Sequence, residues 1–253
     1  MPAVQSSLYL DWQFWAAVAA FLALILSQLP PVRLWFLPRR LEVEVHSKIQ
    51  VTHKVGNPNI GLFASVRNTG GRRLRIKAME LSVSRDGKPL GLYPAQNYYE
   101  RLSDTSMVLF VPFTLEPGQS WEHGTNFFDE FDRETDKLFR ESASALRTDI
   151  SAKLDARPET ETVPVVGEPD LVEPFHKLFD GLFSWVPGEY VIELRVQAEP
   201  GSASFAQKYR FTLFESDTKE LRSYADDFKI GGGIVFNPER HRGVFVPLQP
   251  HNS

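Results

Sequence analysis

The chain has 253 residues, with 28 Lys and Arg against 32 Asp and Glu, a net charge of −4 and no cysteine. This acidic balance argues against a general nucleic-acid binder, which carries a strong basic excess, so no nucleic acid is expected as a partner. Without cysteine there is no thiol nucleophile. The 19 Phe residues supply enough apolar material for a substantial core.

The stretch from Trp12 to Leu29 has no ionised side chain over eighteen residues. As a helix it would be about 27 Å long, close to the bilayer's hydrocarbon thickness of about 30 Å. The alternative is a secretory signal peptide, but its basic start and small-residue cleavage pattern are both missing here. We therefore predict an uncleaved transmembrane helix over residues 12–29 that contacts membrane lipids. The residues expected at the two headgroup levels are Trp12, Trp15 and Trp35.

Basic residues follow this apolar stretch and none precede it. Because positively charged flanks stay in the cytoplasm, we predict a single-pass protein of the bacterial inner membrane with a cytoplasmic C-terminal domain. The residues behind this orientation are Arg33, Arg39 and Arg40. Small residues at Ala16, Ala20 and Ala23 would let two helices approach closely, although alanine is also simply common in membrane helices.

Alternation of apolar and polar residues predicts antiparallel strands from Leu41 onward. Apolar residues keep one phase from Leu41 to Val55, which fits one long strand or two strands bent around Ser47. A change of phase near Met79 predicts a β-bulge, and Asp86-Gly87 predicts a hairpin turn. Further strand segments are predicted at 60–66, 72–84, 106–115, 190–198, 205–213, 234–236 and 244–246.

At about Asn126 the apolar residues change to helical spacing, and acidic residues crowd the first turns. Residues 126–185 are therefore predicted to be a helical insertion with a long helix, a Pro- and Glu-rich loop and a short helix from Phe175 to Phe183. We expect the apolar stripe of the long helix to be an interaction surface for a partner or a second copy. The alternative is that the stripe covers one sheet or packs on the short helix. It consists of Phe128, Phe131, Leu138, Phe139, Leu146 and Ile150.

Three turn motifs separate predicted strands: Asn68-Thr69-Gly70, Leu115-Glu116-Pro117-Gly118 and Pro187-Gly188-Glu189-Tyr190. In these motifs the chain resembles bacterial single-pass membrane-anchored proteins with an immunoglobulin-like β-sandwich domain. The resemblance implies a mainly β fold, an antiparallel immunoglobulin-like β-sandwich with a helical insertion, preceded by one N-terminal transmembrane helix, and it implies no activity. The predicted segments are a flank (1–11), the transmembrane helix (12–29), a juxtamembrane linker (30–40), the sandwich (41–125 and 186–247), the insertion (126–185) and a tail (248–253).

No set of residues indicates an enzyme, a cofactor or a metal site. The six histidines lack metal-ligand spacing. The carboxylates from Asp129 to Asp136 could chelate a cation, but a solvated helix face is the simpler interpretation. Gly231-Gly232-Gly233 lacks the context of a phosphate loop and is predicted to be a flexible hinge. Basic residues on one strand face could contact an anionic surface or protect a sheet edge; they are Arg73, Arg75 and Lys77.

These observations favour a membrane-anchored binding or scaffold subunit whose cytoplasmic β-sandwich binds a partner protein or forms a homo-oligomer. Confinement to a membrane would raise its effective concentration. The alternative is a ligand-responsive membrane effector that oligomerises and perturbs the bilayer.

Overall fold

The computed structural model describes residues 12–28, 37–101, 104, 106–158 and 160–251. Twelve strands and four α-helices lie within these ranges. The strands are β1 (Leu41–Val45), β2 (Lys48–Lys54), β3 (Asn57–Asn68), β4 (Leu74–Arg85), β5 (Lys88–Tyr99), β6 (Val108–Leu109), β7 (Phe113–Leu115), β8 (Ser120–Phe127), β9 (Gly188–Glu199), β10 (Phe205–Leu213), β11 (Val244–Pro247) and β12 (Gln249–Pro250). The helices are α1 (Trp12–Gln28), α2 (Arg133–Asp155), α3 (Pro169–Leu182) and α4 (Glu215–Ser223), and 3₁₀ helices cover Gly201–Ala203, Tyr224–Ile230 and Glu239–Arg242.

Local alternation of apolar residues accounts for the strands. Along β3 every second side chain, including Ile60, Leu62 and Ala64, is fully or almost fully buried, while the residues between them are partly exposed. The region from Leu41 to Val55 forms two strands separated at His46-Ser47, which confirms the second of the two predicted arrangements. A register shift at Lys77 and a turn at Asp86-Gly87 match the predicted bulge and hairpin.

The strands form one antiparallel sheet in the order β11-β2-β3-β8-β5-β4-β9-β10-β12, with β1 beside β3, β6 beside β5 and β7 beside β4. The long strand β5 joins the two halves of this sheet. Its first half, up to Pro94, pairs with β4, and its second half, from Ala95, pairs with β8. The sheet therefore folds over on itself at β5 without a break in its hydrogen bonding.

The last segment of the chain nearly closes this folded sheet. β11 pairs with β2 at one end of the strand order, and β12 pairs with β10 at the other end. Only Leu248 separates these two strands; it is buried, and its backbone N–H donates to the carbonyl of Ser47 at 2.8 Å. The two ends of the sheet are thus held together by consecutive residues.

The predicted immunoglobulin-like sandwich is wrong. Such a domain has seven to nine strands in two separate sheets. Here the twelve strands within the described residues belong to one continuous, nearly closed antiparallel sheet. The period of the sequence identifies strands but carries no information on which strand pairs with which, and the crossing of β5 between layers has no local signal.

The predicted transmembrane helix over residues 12–29 is also wrong. α1 covers 17 residues within the described ranges, from Trp12 to Gln28. No helix within the described residues is long and apolar enough to cross a membrane. The single-pass location in the bacterial inner membrane, with a cytoplasmic C-terminal domain, is therefore wrong as well. Leu29, Arg33 and Trp35 lie outside the described residues.

The main core fills the space between the two halves of the sheet. Trp185 and Tyr190 are completely buried there, and the ring of Tyr190 stacks on Phe211 with 5.0 Å between centroids. The indole N–H of Trp185 donates to the carbonyl of Thr52 at 2.8 Å. This hydrogen bond satisfies the one polar atom of a large apolar side chain.

A second core lies under the helical insertion. β8 continues to the buried Phe127, so the helical part begins later than predicted, with Asp132 as the N-cap of α2. α2, α3 and the 3₁₀ helix Tyr224–Ile230 share a cluster that includes Phe175 and Phe228. The turn between β2 and β3 enters this cluster through Val55. The insertion is therefore packed against the sheet by its own apolar residues.

Candidate functional site

A groove of about 370 Å³ lies on the outer face of β2, β3 and β8. The strand register places Gly61 opposite Gln50, and Gly124 opposite both Phe63 and Tyr99. Because Gly124 carries no side chain, the backbone of β8 forms part of the floor of the groove, while the Gln50 side chain lies over Gly61. Its volume lies within the range of about 300–1,000 Å³ found for ligand sites.

Aromatic side chains form the walls of this groove. Phe63, Tyr99 and Phe245 line it, and Phe245 is 60% exposed. Alternation along β11 explains this exposure, because Val244 and Val246 on either side of Phe245 face the core. The walls therefore present apolar surface to solvent.

Two amide side chains are held in place at the groove. The Nε2 of Gln50 donates to the carbonyl of Arg242, which keeps Gln50 Oε1 where a Cβ at Gly61 would stand. The Nδ2 of Asn126 donates to Asn97 Oδ1 at 2.8 Å. Gln50 Oε1 and Asn126 Oδ1 accept no hydrogen bond from the described residues, so each retains acceptor capacity.

The groove is lined by basic side chains and by no acidic ones. His46 and Lys48 lie on its rim and are exposed, and no Asp or Glu lines it. Among the described residues, no carboxylate lies within ion-pair distance of the Lys48 ammonium group. The groove thus combines apolar walls with one lysine ammonium group on its rim.

Next to the groove, four apolar side chains project from the edge of the sheet. We call them the apolar ridge; their exposed fractions are 50% for Met107, 40% for Val108, 75% for Leu109 and 61% for Val111. Within the part of the chain that the structure describes, β6 pairs with β5 alone. The ridge meets the groove at Asn126, whose Nδ2 lies 3.2 Å from Met107 Sδ.

A smaller cleft of about 240 Å³ lies between the β2–β3 turn and the start of α2. Lys54 Nζ lies there 4.4 Å from the centroid of the Phe139 ring, and burial lowers the pKa of Lys54 while Asp136 opposes the shift. Asp136 is already paired with Arg140 at 2.7 Å. No group of three or more metal-ligating side chains is brought together anywhere in the described ranges. The cleft has mixed charge and no arrangement that indicates chemistry.

A buried cluster around Asp227 joins the C-terminal residues to the second core. Asp227 pairs with Arg240, and its Oδ2 lies 2.8 Å from His241 Nε2. Burial, and then the charge of Arg240, lowers the pKa of His241 to about 4. Asp227 and His241 line neither the groove nor the cleft.

Gly231 has a left-handed φ of +83°, and its carbonyl accepts from Val235 N–H at 2.7 Å, so this glycine run is a hydrogen-bonded turn and not a flexible hinge.

The stripe predicted on the long helix divides into buried and accessible residues. Phe139, Leu146 and Ile150 are buried in the second core, whereas Leu138 is 47% exposed. Phe128 and Phe131, which precede α2, are half-buried. The buried residues pack against α3 and the 3₁₀ helix, as the alternative interpretation of the stripe expects, and are not available to a partner.

The remaining predicted residues are dispersed over the surface. Arg73, Arg75 and Lys77 are exposed on one face at the start of β4, where Lys77 pairs with Glu199 at 3.4 Å. Arg39 and Arg40 are exposed beside the turn at Gly70, where an added Cβ would lie close to Arg40 N. The α1 residues Trp12, Trp15, Ala16, Ala20 and Ala23 are exposed.

The groove and the ridge were not among the sequence predictions. Isolated glycines inside strand patterns mark places where another group approaches the backbone, and Gly61 and Gly124 are of this kind. The uncharged segment 106–113 was assigned to a strand, and its exposure followed only from its position at the sheet edge. The strand glycines and the uncharged segment are both visible in the sequence. Only the pairing of the strands brings them next to each other.

No family model matches the sequence, and no curated protein matches it. Among solved structures, the chain is similar to a protein from Archaeoglobus fulgidus at 10% identity, with 70% of this chain and 98% of that chain covered. The TM-score of 0.27 is too low for this likeness to support an argument about fold or function.

Proposed function

We propose that this protein is a non-enzymatic binding module that engages a partner polypeptide through the apolar ridge. The observation that supports this proposal is the exposure of four apolar side chains in and beside the edge strand β6. Exposed apolar patches on a protein surface commonly mark interaction sites.

The chemistry of the edge favours a polypeptide partner. Proteins protect exposed edge strands with charged residues, with short strand length and with proline. Residues 106–113 contain no charged residue, but β6 is only two residues long and Pro112 follows it. The backbone of this edge offers donors and acceptors to an added strand, while the ridge side chains contribute apolar contact. Such a surface is an aggregation hazard when left uncovered, so a bound partner accounts for its retention.

A site-specific cross-linking experiment tests this function. A photoreactive residue is placed at Leu109 and, as the control, at Phe214, which is 65% exposed outside the ridge. We expect one defined polypeptide to cross-link at position 109 and not at position 214. Excess purified wild-type chain should compete for the partner and reduce cross-linking at position 109. The Leu109→Asp chain should compete at least tenfold less well, and the Phe214→Asp chain should compete like wild type.

The mass of the cross-linked product separates a different partner from a second copy of this chain. Equal cross-linking at both positions, or equal competition by Leu109→Asp and wild type, would contradict the proposal, provided that both variants melt like the wild type. The bilayer-perturbing effector stays a prediction, since no contact within the described residues bears on it.

A further inference from the structure

The shape of the groove suits an apolar side chain that arrives from outside. Its floor carries no side chain at Gly124, and the rings of Phe63, Tyr99 and Phe245 line a space of about 370 Å³. Burying an apolar side chain in such a space removes apolar surface from water, which is favourable before the costs of association. The groove therefore has a shape and a lining that suit an apolar side chain.

The charges on the groove favour an anion beside that side chain. Lys48 and His46 lie on the rim without an opposing carboxylate in the groove lining. A carboxylate brought next to Lys48 would form a charge-assisted hydrogen bond, whereas a second cation would be repelled. Charge complementarity thus selects an occupant with an acidic group next to its apolar part.

The amide oxygens favour a polypeptide over a simple fatty acid. Gln50 Oε1 and Asn126 Oδ1 retain acceptor capacity within the described residues, and both amides are fixed through their NH₂ groups. A peptide backbone provides N–H donors for such oxygens, but a fatty acid has no donor to offer them once its carboxyl group is ionised. The contact between Asn126 and Met107 makes the groove continuous with the ridge.

Resting on the function proposed above, we propose that the groove receives an apolar side chain of the partner polypeptide and that Lys48 pairs with a neighbouring carboxylate of the same segment. The ridge then provides contact area, and the groove provides the sequence preference.

Selection from a displayed library of random heptapeptides on the full chain tests this proposal. We expect the enriched peptides to carry an apolar residue next to Asp or Glu. Selection on Lys48→Glu should replace that acidic residue by Lys or Arg, and acidic peptides should bind this variant at least tenfold more weakly than wild type. Gly124→Leu, which fills the floor of the groove, serves as the blocked control after its folding is verified by circular dichroism and melting.

The selection would overturn the proposal in any of these cases: enrichment no greater than on the blocked control, enriched peptides without an acidic bias, or a bias that Lys48→Glu leaves unchanged. Tighter binding of decanoate than of any selected peptide, lost in Lys48→Glu, would assign the groove to a fatty acid and also overturn it. Repeating the selection on Leu109→Asp separates the two proposals. Unchanged enrichment there would support the groove even if the cross-linking result contradicted the function of the ridge.

Discussion

His53 Nε2 lies 2.8 Å from the carbonyl oxygen of Leu221, while the Nδ1 of the same ring accepts from Gly56 N–H at 3.1 Å. A carbonyl oxygen only accepts, so the proton of the neutral ring is on Nε2. Phe179, Phe183 and Tyr224 surround the ring with centroid distances of 5.3 to 5.4 Å. His53 is thus a fully satisfied neutral side chain that links β2 to α3 and α4.

The stability of the protein should fall in mild acid because of this histidine. Burial lowers the pKa of His53 from 6.5 to about 4, and the hydrogen bond to Leu221 only partly opposes this shift. The unfolded chain takes up the proton near pH 6.5, whereas the folded chain does so only near pH 4. The contribution of His53 to the free energy of unfolding is therefore fully present above pH 6.5 and decreases towards pH 4 by about 3 kcal/mol. Urea unfolding at pH 7.5, 6.5, 5.5 and 4.5 measures the decrease.

The matched variants for this prediction are His53→Gln and His176→Gln. The first should flatten the dependence of unfolding free energy on pH, and the second, at an exposed position on α3, should leave it unchanged. The shifted pKa of His241 contributes a slope of the same sign, so some dependence should remain in His53→Gln. A slope identical to that of the wild type in His53→Gln would show that this residue is not responsible.

Closure of the sheet should depend on glycine at position 243. Gly243 has a φ of +92°, and a Cβ there would overlap Val51 O and lie 2.7 Å from the Cβ of Thr52. Gly243→Ala should therefore push β11 away from β2 and cost at least about 3 kcal/mol. Faster hydrogen exchange across Val244–Pro247 would report the displacement directly.

Gly87→Ala is the control for backbone strain without a clash. Gly87 has a similar φ of +78°, but no atom lies within 4 Å of a Cβ built there. We expect this variant to lose about 1 kcal/mol, the cost of a left-handed conformation for alanine. If both variants lost the same stability, the close approach of β11 to β2 would not be what requires glycine.

The stripe on α2 should separate into residues that stabilise the fold and residues that do not. Leu146 is completely buried in the second core and Leu138 is 47% exposed on the same helix. Leu146→Ala should cost about 3 kcal/mol of unfolding free energy, and Leu138→Ala less than about 1 kcal/mol. Denaturant titration of the two variants measures both, and a larger loss at Leu138 would contradict the assignment of the stripe to the core.

Local patterns in the sequence predicted most strands and turns and both helices of the insertion. The period of two along residues 60–66 and the Asp86-Gly87 turn need only neighbouring residues to be recognised. The start of α2 was predicted too early because Phe127, part of an apolar run, belongs to β8. At such a boundary an apolar residue fits both the spacing of a helix and the buried face of a strand. Phe127 belongs to the strand because it pairs with β3 and β5.

The errors in the predicted fold concern which strands pair with each other. The crossing of β5 from β4 to β8, and the closure through Leu248, depend on residues far apart in sequence.

The sequence by itself determined most strands and turns and both helices of the insertion, because these follow from the spacing of apolar residues and from the backbone preferences of Gly, Pro, Asn and Asp. It did not predict β5, whose burial does not alternate. The tertiary structure alone decided the order of the strands, the near closure of the sheet, and the burial of Phe139, Leu146 and Ile150. It also assembled the groove, since Gln50, Gly124 and Phe245 become neighbours only when β2, β3, β8 and β11 pair. A groove on a sheet is a property of strands that lie side by side, and that arrangement depends on long-range packing.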